Sequence, residues 1–151
     1  MLQRSQTLYL LGIFILTVLL LTGSLARFAT EEGELVLSHS GLLNAEGERE
    51  LATWPMTILF ALVSVISLLN IFFYRNRVRQ MRLSVFLIFL FAGVTGMMFF
   101  YTWMVSSSFD TTATIYLWRF VIPPVSIILQ YLAFRRIRRD ELLVKAYDRI
   151  R

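Results

Sequence analysis

One arginine, Arg119, sits inside a long apolar run, whereas the rest of the chain's 15 lysines and arginines stand outside such runs. A charge in an apolar segment is costly and is a functional hypothesis by default. Arg119 lies four residues inside the start of its run, about 6 Å at helical rise, directly after Trp118. From there a guanidinium can snorkel to headgroups or pair with loop glutamates. The alternative reading is that it receives an anion or a lipid phosphate. Pro123-Pro124, one turn deeper, are expected to free backbone carbonyls and kink the helix. Two amides, Asn70 and Gln130, fall in apolar runs near one common end, where they are candidates for an interhelical hydrogen bond.

The remaining chemistry is defined by what is missing. There is no cysteine, which excludes thiol redox centres, zinc thiolates and lipid attachment through sulfur. The single histidine, His39, lies in a polar segment, so a haem held between helices is excluded. A proton-coupled exporter needs an intramembrane carboxylate, and no apolar run contains one. Metalloprotease, phosphate-loop and Ser/His/Asp patterns are absent. No catalytic set, cofactor or metal site is expected. A non-catalytic role is the leading expectation.

The elements that must position these residues are read from hydropathy. Hydrophobic residues make up 57% of the 151, and charged residues 17%, against about 25% in a typical soluble domain. Four runs are long enough to cross a bilayer, which takes roughly 20 residues: about 8–25, 55–74, 83–105 and 115–134. Arg75, Arg77, Arg79 and Arg82 fill the link between the second and third. Arg135, Arg136, Arg138, Arg139, Lys145, Arg149 and Arg151 follow the fourth, and Arg4 precedes the first. The segment 26–53 instead sets Arg27 and Arg49 against Glu31, Glu32, Glu34, Glu46, Glu48 and Glu50, and the link between runs three and four carries only Asp110. Basic residues stay on the cytoplasmic side, which puts both termini inside. The net charge of +5 thus reads as membrane orientation and attraction to anionic lipid, not as a nucleic-acid surface.

Aromatic residues agree. Trp54, Trp103 and Trp118 fall at the outer ends as interfacial anchors, while Tyr9, Tyr74 and Tyr131 fall near inner ends. Ser24-Leu25-Ala26 has the small residues of a signal-peptidase site, but the preceding run is long for a signal peptide, so the first span is expected to be retained. Short links make neighbouring spans antiparallel. The expected fold is therefore all-α and integral to the membrane, a single antiparallel four-helix transmembrane bundle. Ala61, Ser64 and Ser67, with Ala92 and Gly96, are expected to pack helices inside that bundle; homodimerisation is the alternative. The outer loop offers a short hairpin, Glu34 to Ser38 returning through His39-Ser40-Gly41 to Leu42-Leu43. The tail 135–151 should continue the fourth helix as an amphipathic segment, with Leu143, Val144, Tyr147 and Ile150 on one side and Arg136/Asp140 and Glu141/Lys145 as ion pairs.

Three stretches together carry a resemblance: Met1-Leu-Gln-Arg-Ser-Gln-Thr-Leu-Tyr-Leu-Leu11, Tyr74-Arg-Asn-Arg-Val-Arg-Gln-Met-Arg82, and the tail from Ile137 to Arg151. The chain resembles, over essentially its whole length, a bacterial family of small four-span proteins, domain of unknown function 4293. The resemblance implies an inner-membrane location and carries over no activity, ligand or catalytic residue. The leading expectation is a non-catalytic accessory or scaffold protein that binds lipid or a larger membrane complex, with a membrane protein or a second copy as partner. The alternatives are a small transporter or channel subunit with an anion site at Arg119, and an enzyme acting on lipid headgroups.

Overall fold

The computed structural model describes residues 3–31, 33–109 and 111–148. Glu32, Asp110, Arg149, Ile150 and Arg151, which enter the charge and amphipathicity arguments above, lie outside the described residues, as do the side chains of Arg4, Arg75, Lys145 and Tyr147. The element order is α1 (Gln3–Leu20), β1 (Ser24–Thr30), β2 (Gly33–Ser38), β3 (Gly41–Leu43), β4 (Arg49–Ala52), α2 (Trp54–Phe72), α3 (Arg77–Ser108), β5 (Thr111–Tyr116) and α4 (Ile122–Asp148). The all-α expectation is thus corrected. The five strands form one antiparallel sheet in the order β4-β3-β2-β1-β5.

The helices follow from an apolar repeat of three or four residues. On α3 the buried series includes Leu87, Phe91, Val94, Met98 and Val105; on α2 it includes Met56, Phe60, Val63 and Ser67. Leu10, Ile13, Thr17 and Leu20 play the same part on α1, as do Ile122, Ser126, Gln130, Ala133 and Ile137 on α4. Each helix packs on its two neighbours, α1 on α2 and α4, and α3 on α2 and α4. The outward faces are apolar as well, with Phe89, Ile58, Val65 and Ile128 all more than half exposed. Helices that are apolar all round are suited to lipid on one side and protein on the other. Among the described residues three helices, Trp54–Phe72, Arg77–Ser108 and Trp118–Val144, are long and apolar enough to cross a membrane; the apolar part of α1, Thr7–Leu20, is shorter.

The sheet sits where α1 and α3 end and α2 and α4 begin. Its helix-facing side is apolar: Ala26, Phe28, Leu35, Leu37 and Leu42 are buried, and the pairings Phe28↔Leu35, Ala26↔Leu37 and Leu37↔Leu42 stack them across strands. Burying each large side chain here contributes about 1.5–3 kcal/mol. The hairpin between β2 and β3 is the one read from 34–43, here the middle of a larger sheet. The β3–β4 turn is built by Asn44, whose Oδ1 accepts the backbone N–H of Glu46 (3.1 Å) and Glu48 (2.8 Å). Gly47 takes φ +82 in that turn, a left-handed conformation that costs glycine little.

Two helix boundaries differ from the hydropathy reading for one reason. Hydropathy places Ser24-Leu25 and Ile115-Tyr116 in spans because they continue apolar runs, yet they belong to β1 and β5. Those strands pair with each other, Ala26↔Tyr116 through Thr30↔Thr111. β5 reads Thr-Thr-Ala-Thr-Ile-Tyr, a β-branched segment suited to a strand. The expected kink at Pro123-Pro124 is corrected too. α4 starts at Ile122, after the 3-10 turn Trp118–Val121, so both prolines lie in its first turn, where a missing N–H breaks no helix bond.

Candidate functional site

Arg119 stands in that 3-10 turn, partly buried at the junction of sheet and helices. Its Nε–H donates to Leu19 O at 3.2 Å and its Nη1–H to Ser24 O at 3.4 Å. Leu19 belongs to the last turn of α1, at the negative end of the helix dipole, and its carbonyl also accepts from Thr22 N–H (3.3 Å) and Thr22 Oγ–H (2.9 Å). A cation there complements the dipole. The guanidinium also lies over the Trp118 ring, 4.8 Å from its centroid, a cation–π contact. Gly23 makes room for it: a Cβ on Gly23 would stand 2.6 Å from Arg119 Cζ and Nη2. Arg119 therefore ties the end of α1 and the start of β1 to the lead-in of α4. Spacing alone could not find this, because Gly23 and Arg119 are far apart in the chain.

The glutamates gather elsewhere. Glu31, Glu34, Glu46 and Glu50 line a cavity of about 440 Å³ on the sheet, with Asn44 and Phe109 beside them. Glu34 pairs with Arg27 at 3.4 Å, both half exposed, and Glu50 accepts from Asn44 Nδ2 at 3.3 Å. Among the described residues no group of three acidic, histidine or cysteine side chains could hold a metal. His39 is in the β2–β3 turn, where its carbonyl accepts from Thr53 (2.9 Å) and Thr57 (2.7 Å), pinning the start of α2. Partial burial lowers the pKa of its imidazole below the usual value.

Apart from Arg27 and Arg49 on the sheet and Arg119 beside it, the described basic side chains collect at the end of the helices remote from the sheet. Arg79, Arg82, Arg135, Arg136, Arg138 and Arg139 are exposed. Arg77 is partly buried and donates to Asp140 O at 3.2 Å, and Arg136 lies over the Tyr9 ring at 5.9 Å. Arg75 closes the 3-10 turn Phe73–Arg75 between α2 and α3. Beyond this cluster α4 runs on to Asp148, exposing Leu142, Leu143 and Val144. The three tryptophans lie toward the opposite, sheet end, each more than half exposed: Trp54 opens α2, Trp103 is near the end of α3, and Trp118 is beside Arg119.

Asn70 and Gln130 are both fully buried. Asn70 donates through Nδ2 to Ser84 Oγ, and its backbone carbonyl accepts from Gln80 Nε2, both at 3.3 Å. Its Oδ1 and both amide atoms of Gln130 have no partner among the described residues, so the direct bond between the two amides is not formed. Leaving such groups dry costs about 1–3 kcal/mol each. The small residues divide. Ser64 and Ser67 face inward, but Ala61, Ala92, Gly93 and Gly96 are exposed, with open space in front of both glycines. The inward series of α3 through Phe91, Val94 and Met98 turns Ala92, Gly93 and Gly96 outward, and that of α2 through Phe60, Val63 and Ser67 does the same to Ala61, which corrects the expected role of Ala61, Ala92 and Gly96 in internal packing.

A family model matches residues 2–150. The chain belongs to DUF4293, a domain of unknown function. No curated protein matches it. For this DUF4293 chain, then, function has to be argued from the Arg119 junction, the acidic sheet, the basic end and the buried amides.

Proposed function

We propose that this DUF4293 chain is a four-span protein of the bacterial cytoplasmic membrane, with both termini inside. In this reading it is a non-catalytic accessory protein that holds anionic lipid at its basic end and supports a larger membrane complex. The observation that carries the reading is the separation of charge along the helices. Glu31, Glu34, Glu46, Glu48 and Glu50 outnumber Arg27 and Arg49 in and around the sheet, while Arg79, Arg82, Arg135, Arg136, Arg138 and Arg139 lie exposed at the other end. Such segregation is the orientation rule for multi-pass proteins.

α1 counts as the fourth span because its contacts run the length of its neighbour: Leu19 meets Arg119 at the sheet end and Tyr9 meets Arg136 toward the basic end. Each arginine near an anionic surface contributes about 1 kcal/mol, weakened by salt. Arg135, Arg136, Arg138 and Arg139 together thus make on the order of several kcal/mol of lipid attraction. Arg119 enters this reading as a cap on α1. A transporter's anion site or a headgroup enzyme draws no support from a guanidinium bonded to two carbonyls, with the glutamates grouped around a separate cavity.

The test is purification in mild detergent followed by lipid extraction and identification of bound proteins. Phosphatidylglycerol or cardiolipin should be enriched over phosphatidylethanolamine, and replacing Arg135, Arg136, Arg138 and Arg139 with Ser should abolish the enrichment. A chain that always runs alone, with bound lipid matching the bulk membrane, would overturn the reading.

A further inference from the structure

Five buried side-chain atoms lack a hydrogen-bond partner among the described residues: Ser67 Oγ and Asn70 Oδ1 on α2, and Ser126 Oγ, Gln130 Nε2 and Gln130 Oε1 on α4. All four residues are 2% exposed or less. Buried polar groups are otherwise almost always paired, so each of these points to something that satisfies it.

Their heights follow from contacts elsewhere. Phe99 against Phe120 (centroids 5.3 Å apart) and Arg77 on Asp140 O (3.2 Å) set the antiparallel register of α3 and α4. Asn70 on Ser84 (3.3 Å) sets that of α2 and α3. Counting residues along these pairs at about 1.5 Å each places Gln130 level with Leu87 and Ser67, within a turn of Asn70. Ser126 lies about one turn nearer the sheet. Ser67 and Asn70 are three residues apart and Ser126 and Gln130 four, so each pair shares one helix face, and in both cases that face is buried.

We propose that Ser67, Asn70, Ser126 and Gln130 enclose an internal water site that bridges α2 and α4. The atoms are complementary in kind: Gln130 Nε2 donates, Asn70 Oδ1 and Gln130 Oε1 accept, and the serine hydroxyls do either. Water makes about three hydrogen bonds, as donor and acceptor at once, so about two molecules satisfy the set. A monovalent cation fits less well. The buried polar residues, Thr17, Thr53, Ser64, Ser67, Asn70, Gln80, Ser84, Thr102, Ser126 and Gln130, are all neutral, leaving no countercharge, and the Gln130 NH2 group would face the ion.

Radiolytic footprinting of the full-length protein in detergent reads this directly, because tightly held water yields hydroxyl radicals in place. Leu87, fully buried at this height, should be labelled well above Phe28, which is equally buried under the sheet. Gln130→Leu or the milder Ser126→Ala should reduce the Leu87 signal severalfold. The melting temperature should be the same in sodium and in choline chloride. Leu87 labelling no greater than that of Phe28 overturns the proposal, as does a melting temperature raised specifically by sodium.

Discussion

Substituting Gly23 by Ala separates the Arg119 junction from ordinary packing, because the effect should change sign with its partner. In the wild-type background the new Cβ falls 2.6 Å from Arg119 Cζ, so the guanidinium has to leave Leu19 O and Ser24 O. Hydrogen bonds from a charged donor contribute about 1.5–3 kcal/mol when well shielded, and a cation at a helix C-terminus about 0.3–1 kcal/mol. Arg119 is only partly buried and its bonds are 3.2 and 3.4 Å long. The discounted cost of Gly23→Ala is therefore about 1–2 kcal/mol, or roughly 2–8 °C in Tm for a chain of this size. Arg119→Ala should cost a similar amount. Gly23 has no positive φ, so once Arg119 is gone the three atoms nearest a methyl group at position 23 are removed with it, and the methyl group reduces the freedom of the unfolded chain. In the Arg119→Ala background Gly23→Ala should then be neutral or stabilising by up to about 1 kcal/mol. Thermal melts of the four proteins in one detergent close the cycle. Additive losses would refute the claim that Gly23 exists to admit the guanidinium.

Two further outcomes are expected. Burial lowers the His39 pKa, so below about pH 6.5 the unfolded chain binds more protons than the folded one. The stability from neutral His39 is thus complete above that pH and is lost as pH falls through the folded pKa. Melts between pH 8 and 5 should show His39→Gln losing less stability than wild type, and parallel curves would contradict the assignment. Gly41→Ala should destabilise by about 1–3 kcal/mol, since its Cβ would lie 2.9 Å from the backbone oxygen of Leu51. A melt unchanged within about 0.5 kcal/mol would show that β3 and β4 can part without cost.

The elements easiest to read from the chain are those with local signals. Trp54–Phe72 and Arg77–Ser108 stand out by apolar length, and the β2–β3 hairpin by the run Glu34 to Ser38, the turn His39-Ser40-Gly41 and Leu42-Leu43. β1 and β5 are hidden because each continues an apolar run, and their pairing joins segments that no periodicity links. Pro123-Pro124 signal a break, but only the strand before them reveals that the helix starts there. Arg119 is conspicuous as a charge among apolar residues. Its role depends on Gly23 and on the carbonyls of Leu19 and Ser24, which a count of hydropathy does not contain. Asn70 and Gln130 are recognisable as inward amides. Which of their atoms stay unpaired depends on distances between helices.

The central claim is the orientation of a four-span chain with its sheet outside and its arginines inside. The protein has no cysteine, so single replacements can be read without background. Glu46→Cys, on the acidic sheet, and Arg139→Cys, at the basic end, are each expressed in bacteria and exposed to a membrane-impermeant maleimide in spheroplasts. The account predicts that the thiol at position 46 reacts in intact spheroplasts and the thiol at position 139 only after lysis. Labelling of both from the same side, or the reverse order, would contradict it.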